Sequence, residues 1–205
     1  MGGNVAKNKK EKKEKKNRVY RKRATYALSA KDIRTILESQ GLNPKILLYK
    51  DLKDYDLDSF VKDLASHVGL VILMPTLKSN FGHWVCIFFR EDKLGRLILS
   101  FFDPYGTLNG VKLLPDSELD WNQSGVKYPP YLTRLLLQYD DAMEFNEVKL
   151  QHLSDDISTC GRWCCYRLMN KDMSEKEFAD NVRRQVERGD LTADEMVTKI
   201  TDNYL

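Results

Sequence analysis

Apolar positions along the chain switch between two periods. Ile33, Ile36 and Leu37 recur at helical spacing behind Ser29, a good N-cap, and Gly41 stops the run. A second helix starts near Asp58 with Phe60, Val61 and Leu64 inward, and the continuous apolar run at 68–74 predicts a buried strand. Residues 83–90 (HWVCIFFR) and 97–103 (LILSFFD) are aromatic and branched runs around a polar segment containing Gly95, which predicts a hairpin. A five-residue loop that sets Arg90 opposite Arg96 places His83 opposite Asp103, with Cβ atoms roughly 5 Å apart. A one-residue slip would put them on opposite faces.

Further on, Pro129 and Pro130 open a helix through Leu135 to Leu137, and 145–150 alternates as another strand. Cys160, Cys164 and Leu168 mark a helix entered through Ser158, Thr159 and Gly161. Two carboxyl-terminal helices follow at 174–188 and at 192 to about 203, the second opened by a Thr192/Glu195 capping box. The pattern is mixed α and β with no internal repeat.

Composition narrows the classes. A chain of 205 residues, 42% of them hydrophobic, can bury a core, and no apolar run approaches the ~20 residues of a membrane-spanning helix. Its four cysteines, two of them adjacent, lack the spacing of a disulfide framework, and no signal peptide opens the sequence, so a reducing interior is expected. The net charge of +3 hides a dipolar chain. Between Lys7 and Arg23 there are eleven Lys or Arg against two Glu, net +9, which leaves 22 basic and 28 acidic residues, net −6, elsewhere.

Residues 1–24 therefore read as a disordered basic tail before a single domain at 25–205. The tail's Lys9, Lys10, Lys12, Lys13, Lys15, Lys16, Arg18, Arg21, Lys22 and Arg23 suit a phosphate-rich partner such as DNA, bound mainly by counterion release. The plainer reading is a solvated tail serving solubility or import. The Met1-Gly2 start resembles a myristoylation signal but has Ala6 where Ser or Thr is preferred, which disfavours a membrane partner.

The candidate chemistry lies in three segments, Gly82-His83-Trp84, Asp103-Pro104-Tyr105-Gly106, and Gln151 followed by Thr159-Cys160-Gly161. Their order supplies a base, an orienter, an oxyanion donor and a thiol nucleophile. A carboxylate accepting the Nδ1 proton of His83 would fix the tautomer and stabilise the imidazolium. Cys160 in a helical first turn meets unpaired N–H groups and the positive end of the dipole, both of which favour thiolate. Its backbone N–H and the Gln151 side-chain amide would form an oxyanion hole. Each member alone has a duller reading: a half-buried histidine, a turn-opening Asp-Pro, a core thiol.

These stretches resemble the adenovirus-type maturation endopeptidases and, more distantly, the proteases that release ubiquitin-like modifiers. The closest likeness is CGRWCC at 160–165, with His83-Trp84 and the Asp-Pro-Tyr-Gly turn in matching order, over roughly residues 25–170. Gln151 stands nine positions before Cys160, a longer spacing than the family's. The resemblance implies an α+β, adenain/Ulp-like fold with a central mixed, mostly antiparallel sheet flanked by helices and the nucleophile at a helix N-terminus. It implies Cys160 as nucleophile, His83 as base, Asp103 as orienter, Gln151 as oxyanion donor, and Trp84 and Gly161 at a narrow substrate cleft. It further implies a cysteine endopeptidase with no required cofactor, for which DNA or a peptide is a candidate activator; the oligomeric state is left open, with a monomer favoured. Its substrates would be viral capsid and core precursors cut after small residues, inside virions and host cells.

Three rivals stand beside it. An isopeptidase for ubiquitin-like modifiers would share the site. A zinc module built on Cys160, Cys164, Cys165 and histidines lacks the Cys-x2-Cys knuckles of such sites, so no metal is expected. A non-catalytic nucleic-acid-binding virion protein would use only the tail.

Overall fold

The computed structural model describes residues 19–75, 82–106, 130–154 and 156–205. Tail positions Lys9 to Arg18, and Pro129, lie outside the described residues. In chain order the elements are α1 (Ala30–Glu38), β1 (Pro44–Leu48), a 3-10 turn (Tyr49–Asp54), α2 (Leu57–Ser66), β2 (Gly69–Pro75), β3 (Gly82–Glu91), β4 (Leu97–Phe102), α3 (Tyr131–Leu137), β5 (Met143–Phe145), α4 (Cys160–Met169), α5 (Glu175–Gly189) and α6 (Ala193–Thr201), then a 3-10 turn at Asp202–Tyr204.

Local sequence sets most helix ends. Ser29 with Asp32, Asp56 with Ser59, Ser174 with Glu177 and Thr192 with Glu195 each form reciprocal capping boxes, satisfying N–H groups that a helix start leaves unpaired. Asp56 rather than Asp58 thus opens α2, whose buried face is Phe60 and Leu64 with Val61 at its margin. Gly41 takes φ +71°, a left-handed conformation that ends α1 without a Cβ penalty.

The five strands form one mixed sheet in the order β1-β2-β3-β4-β5. Pairings β2–β3 and β3–β4 are antiparallel, whereas β1–β2 and β4–β5 are parallel. The expectation of a mostly antiparallel sheet is corrected to an even division. Parallel neighbours need a crossover, and α2 lies within the connection from β1 to β2 as α3 does within that from β4 to β5.

Both faces of the sheet are covered. Val71, Trp84, Cys86, Phe88 and Phe102 pack with α1, α4, α5 and α6, while Leu70, Ile72, Val85, Ile87, Leu99 and Phe101 pack with α2, α3 and Tyr49 and Leu52 of the first 3-10 turn. Double coverage explains why the central strands read as unbroken apolar runs, not as alternation.

The hairpin register also differs from expectation. Arg90 pairs with Ile98 and Cys86 with Phe102, because the loop is three residues long, Lys93 to Gly95. Gly95 at φ +75° completes the turn, and the Asp92 carboxylate accepts the N–H groups of Leu94 and Arg96. The shift is two residues, so facing is preserved. Strand β3 pairs with β2 down to Gly82, whereas its β4 pairing stops at Cys86, so residues 82–85 overhang β4.

Three other expectations change. The strand expected at 145–150 is the short β5, because 146–150 leaves the sheet to support the turn after β4. Strand β1 went unseen because PKILL is short and opens on Pro and Lys. The tail boundary at 24 moves inward: residues 19–23 are helical, Ala24 is buried, and its carbonyl accepts the Ser158 N–H at 2.9 Å. Arg21 and Arg23 pair with Glu195 and Asp202 at 3.3 and 2.8 Å, so these two cations are engaged on the domain.

Close packing of α4 on the sheet yields a test. A Cβ at Gly69 would sit 2.8 Å from both the Ile87 carbonyl oxygen and Leu168 Cδ2. Gly69→Ala is expected to lower unfolding stability by about 1–3 kcal/mol, read from urea transitions, because backbone must move to admit the methyl.

Candidate active site

The overhang of β3 and the end of β4 set up the first contact. Asp103 leaves β4 into a turn closed by the Gly106 N–H donating to the Asp103 carbonyl at 2.8 Å, with Gly106 at φ +70°. Asp103 Oδ1 accepts the Tyr105 N–H at 2.8 Å and meets His83 Nε2 at 2.7 Å. Sequence reasoning missed what fixes this aspartate in place. The buried Asn146 accepts the Asp103 N–H through Oδ1 at 2.8 Å and donates from Nδ2 to the Asp103 carbonyl at 2.6 Å. Nothing local marks Asn146, since it is a single polar residue after a three-residue strand.

The nitrogen used differs from the expected one. Asp103 engages Nε2, and the same side chain interacts with the Cys160 thiol through hydrogen bonding and charge. One imidazole thereby links carboxylate and thiol. The Tyr105 ring stacks on His83 with centroids 4.6 Å apart and planes at 22°. Tyr105 is a second residue that sequence reasoning left unassigned; its place in the Asp-Pro-Tyr-Gly turn was the available signal.

Cys160 is the first residue of α4 and 7% exposed. Burial is the largest influence on its thiol and opposes ionisation, but the hydrogen bond and charge of His83, with the backbone N–H groups of Trp84 and Gly161, overcome it and hold the pKa below an ordinary thiol's. For His83, burial again opposes charge, and the Asp103 carboxylate with the Cys160 sulfur pushes the imidazole up to about 10. Both directions favour a thiolate–imidazolium pair. Burial, with the neighbouring charges of Cys160 and Asp103, raises the Tyr105 phenol to about 12, so it stays protonated.

The other expected residues fall as follows. Gln151 is buried, and its Nε2 donates to Tyr105 Oη at 3.2 Å, which brings the amide into the same cluster through the tyrosine stacked on His83. Trp84 and Gly161, expected at a cleft wall, are packed in the core. Trp84 is 5% exposed with Nε1 donating to the Leu28 carbonyl at 3.0 Å, and a Cβ on Gly161 would lie 3.1–3.2 Å from Trp84, Ile33 and Leu28. Their side of α4 is closed by the helix-to-sheet packing itself. Cys164 and Cys165 are fully buried free thiols whose ionisation burial opposes.

No family model matches the chain. Over 177 residues it is 37% identical to "Uncharacterized protein V9" of Sputnik virophage, a match covering 85% of this chain and 94% of that protein. The chain belongs to the V9 family. Among solved structures, the central domain of the uncharacterized Lpg1148 protein from Legionella pneumophila covers 87% of this V9-family chain and 99% of its own, at 19% identity and a TM-score of 0.40. Among the described residues of this V9-family chain, no helix is long and apolar enough to cross a membrane.

The ion pair predicts a pH signature. Alkylation of Cys160 by iodoacetamide should rise through a midpoint below the ~8.5 of an ordinary thiol. In His83→Ala only the Trp84 and Gly161 backbone N–H groups remain against burial, so the midpoint should rise above that of the wild type. Mass spectrometry of the labelled peptide across pH reads both, and equal midpoints would rule out the pair.

Proposed function

We propose that this V9-family protein is a cysteine endopeptidase with an adenain/Ulp-like catalytic arrangement, cutting viral capsid and core precursors after small residues. The observation that carries the reading is His83 bound to Asp103 at 2.7 Å while its hydrogen bonding and charge favour ionisation of the Cys160 thiol at a helix N-terminus. A structural thiol has no use for an imidazolium partner, whereas a nucleophile has. Kinship with a virophage protein supports a viral setting for the substrates.

In this reading the Cys160 thiolate attacks the scissile carbonyl carbon, and the electron pair of the C=O bond moves onto oxygen. Backbone N–H groups at the start of α4 and the Gln151 amide stabilise that oxyanion. Collapse breaks the C–N bond as His83 Nδ1 gives its proton to the leaving amine, leaving a thioester on Cys160. Water, deprotonated by the now neutral His83, attacks the thioester and releases the acid, restoring thiolate and imidazolium. Asp103 holds the ring by Nε2 throughout and supplies the charge that keeps it protonated in the resting pair. Carboxylate orientation acts through the ring, so its loss costs less than loss of the ring.

The basic tail would add a DNA tether by counterion release, as proposed for its lysines and arginines outside the described residues.

Incubation of the full chain with candidate virion precursors, followed by sequencing of new termini, tests the reading. Cys160→Ala is expected to abolish cleavage with the folding transition retained. His83→Ala should lower turnover by about 10²–10⁴-fold, and Asp103→Ala by a smaller factor. Unfolding of Cys160→Ala would mark that residue as structural.

A further inference from the structure

Beyond the four residues just discussed, one buried carboxylate touches both ends of the segment that joins Gln151 to Cys160. Asp194, in the first turn of α6, is 3% exposed. Its Oδ2 accepts the His152 N–H at 3.0 Å. Its Oδ1 accepts the Thr159 hydroxyl and, at 3.1 Å, Trp163 Nε1.

Each contact bears on the site. His152 directly follows Gln151, whose own N–H donates to the Pro104 carbonyl at 3.0 Å, so the Gln151 backbone is fixed between the Asp103 turn and Asp194. The side chain of Gln151 is held at one end only, by Nε2 donating to Tyr105 Oη at 3.2 Å. Its Oε1 is buried and meets no donor among the described residues, an arrangement that costs free energy and must be imposed from outside. At the other end, Thr159 is the N-cap of α4, yet its side chain makes no capping bond. Its hydroxyl is spent on Asp194, which leaves the first-turn N–H groups uncapped beside the sulfur. Trp163, one turn along, ties the same carboxylate to the body of the helix.

We infer that Asp194 is a positioning residue that clamps the two ends of the 152–159 connection, so that the Gln151 amide and the Cys160 thiolate address one carbonyl. The inference rests on the peptidase reading for its purpose, but the clamp itself is separately measurable. Three donors from three residues converge on this one buried carboxyl group, which suits a fixed joint between α6 and the nucleophile segment.

Asp194→Asn in the full chain is the test. With its oxygen kept toward Thr159 and Trp163, the new amide faces the His152 N–H donor to donor. Iodoacetamide alkylation of Cys160, which forms no oxyanion, should keep its pH midpoint and its rate within about twofold. Affinity for a peptidyl-glycinal, whose hemithioacetal oxygen needs the oxyanion hole, should fall about tenfold or more. Parallel loss of both, or loss of neither, overturns the positioning role.

Amide hydrogen exchange supplies the second measurement: His152 should exchange faster in the variant while amides of β2 and β3 keep their protection, and an unchanged His152 overturns the clamp. If wild type takes up neither reagent, the peptidase reading fails, and the His152 exchange still decides the clamp. Should Asp194→Asn not fold, Thr159→Val removes only the hydroxyl contact. It should reduce glycinal affinity with alkylation intact, and full retention of affinity overturns the inference.

Discussion

Nearly everything in this molecule follows from burying α4 on all sides. Nine of its ten residues are buried, although two are arginines and three are cysteines. A helix so enclosed cannot leave a charge unpaired. Arg162 therefore meets Thr201 and Asp202 at 2.7 and 2.8 Å, and Arg167 meets Glu175 at 3.0 Å while lying over the rings of Phe88 and Phe178. Those partners belong to the carboxyl-terminal half, so the enclosed helix recruits α5 and the last turn into one body with the sheet. Gly161 belongs to the same constraint, since a side chain there would push against Trp84 and α1.

The same enclosure shapes the chemistry. Desolvation opposes charge on both Cys160 and His83, yet each ends on the charged side of its ordinary value because the partner is in contact. The charged pair is thus a product of geometry, and that geometry has a support chain. Cys160 depends on His83, His83 on Asp103, and Asp103 on the two-point grip of Asn146. A polar residue remote in sequence thereby holds the turn that carries the histidine's carboxylate partner.

Much of this was legible in the sequence, and the gaps have physical causes. Capping pairs at Ser29, Ser174 and Thr192 are local signals, and the helices they open lie where those residues indicate. The double-faced sheet appeared as unbroken apolar runs, although its mixed strand directions depend on crossovers that no local pattern encodes. His83, Asp103 and Cys160 were found by residue type and order, and the structure brings them together despite a hairpin register displaced by two. That register turned on whether Asp92 and Arg96 belong to the loop, a matter of a few hydrogen bonds. Asn146, Tyr105 and Asp194 went unassigned because their significance is relational: each is an ordinary residue until the fold sets a partner from far along the chain against it.

The three-residue hairpin tip lies at the far end of β3 from His83, roughly 30 Å along the strand at 3.3 Å per residue. Leu94 at its apex is 78% exposed, and the turn is closed by the carboxylate and backbone of Asp92. Grafting a fluorophore or an affinity handle there would report on the molecule from a point away from the His83–Cys160 cluster, and would give immobilisation chemistry a point of attachment that leaves the thiol's surroundings alone.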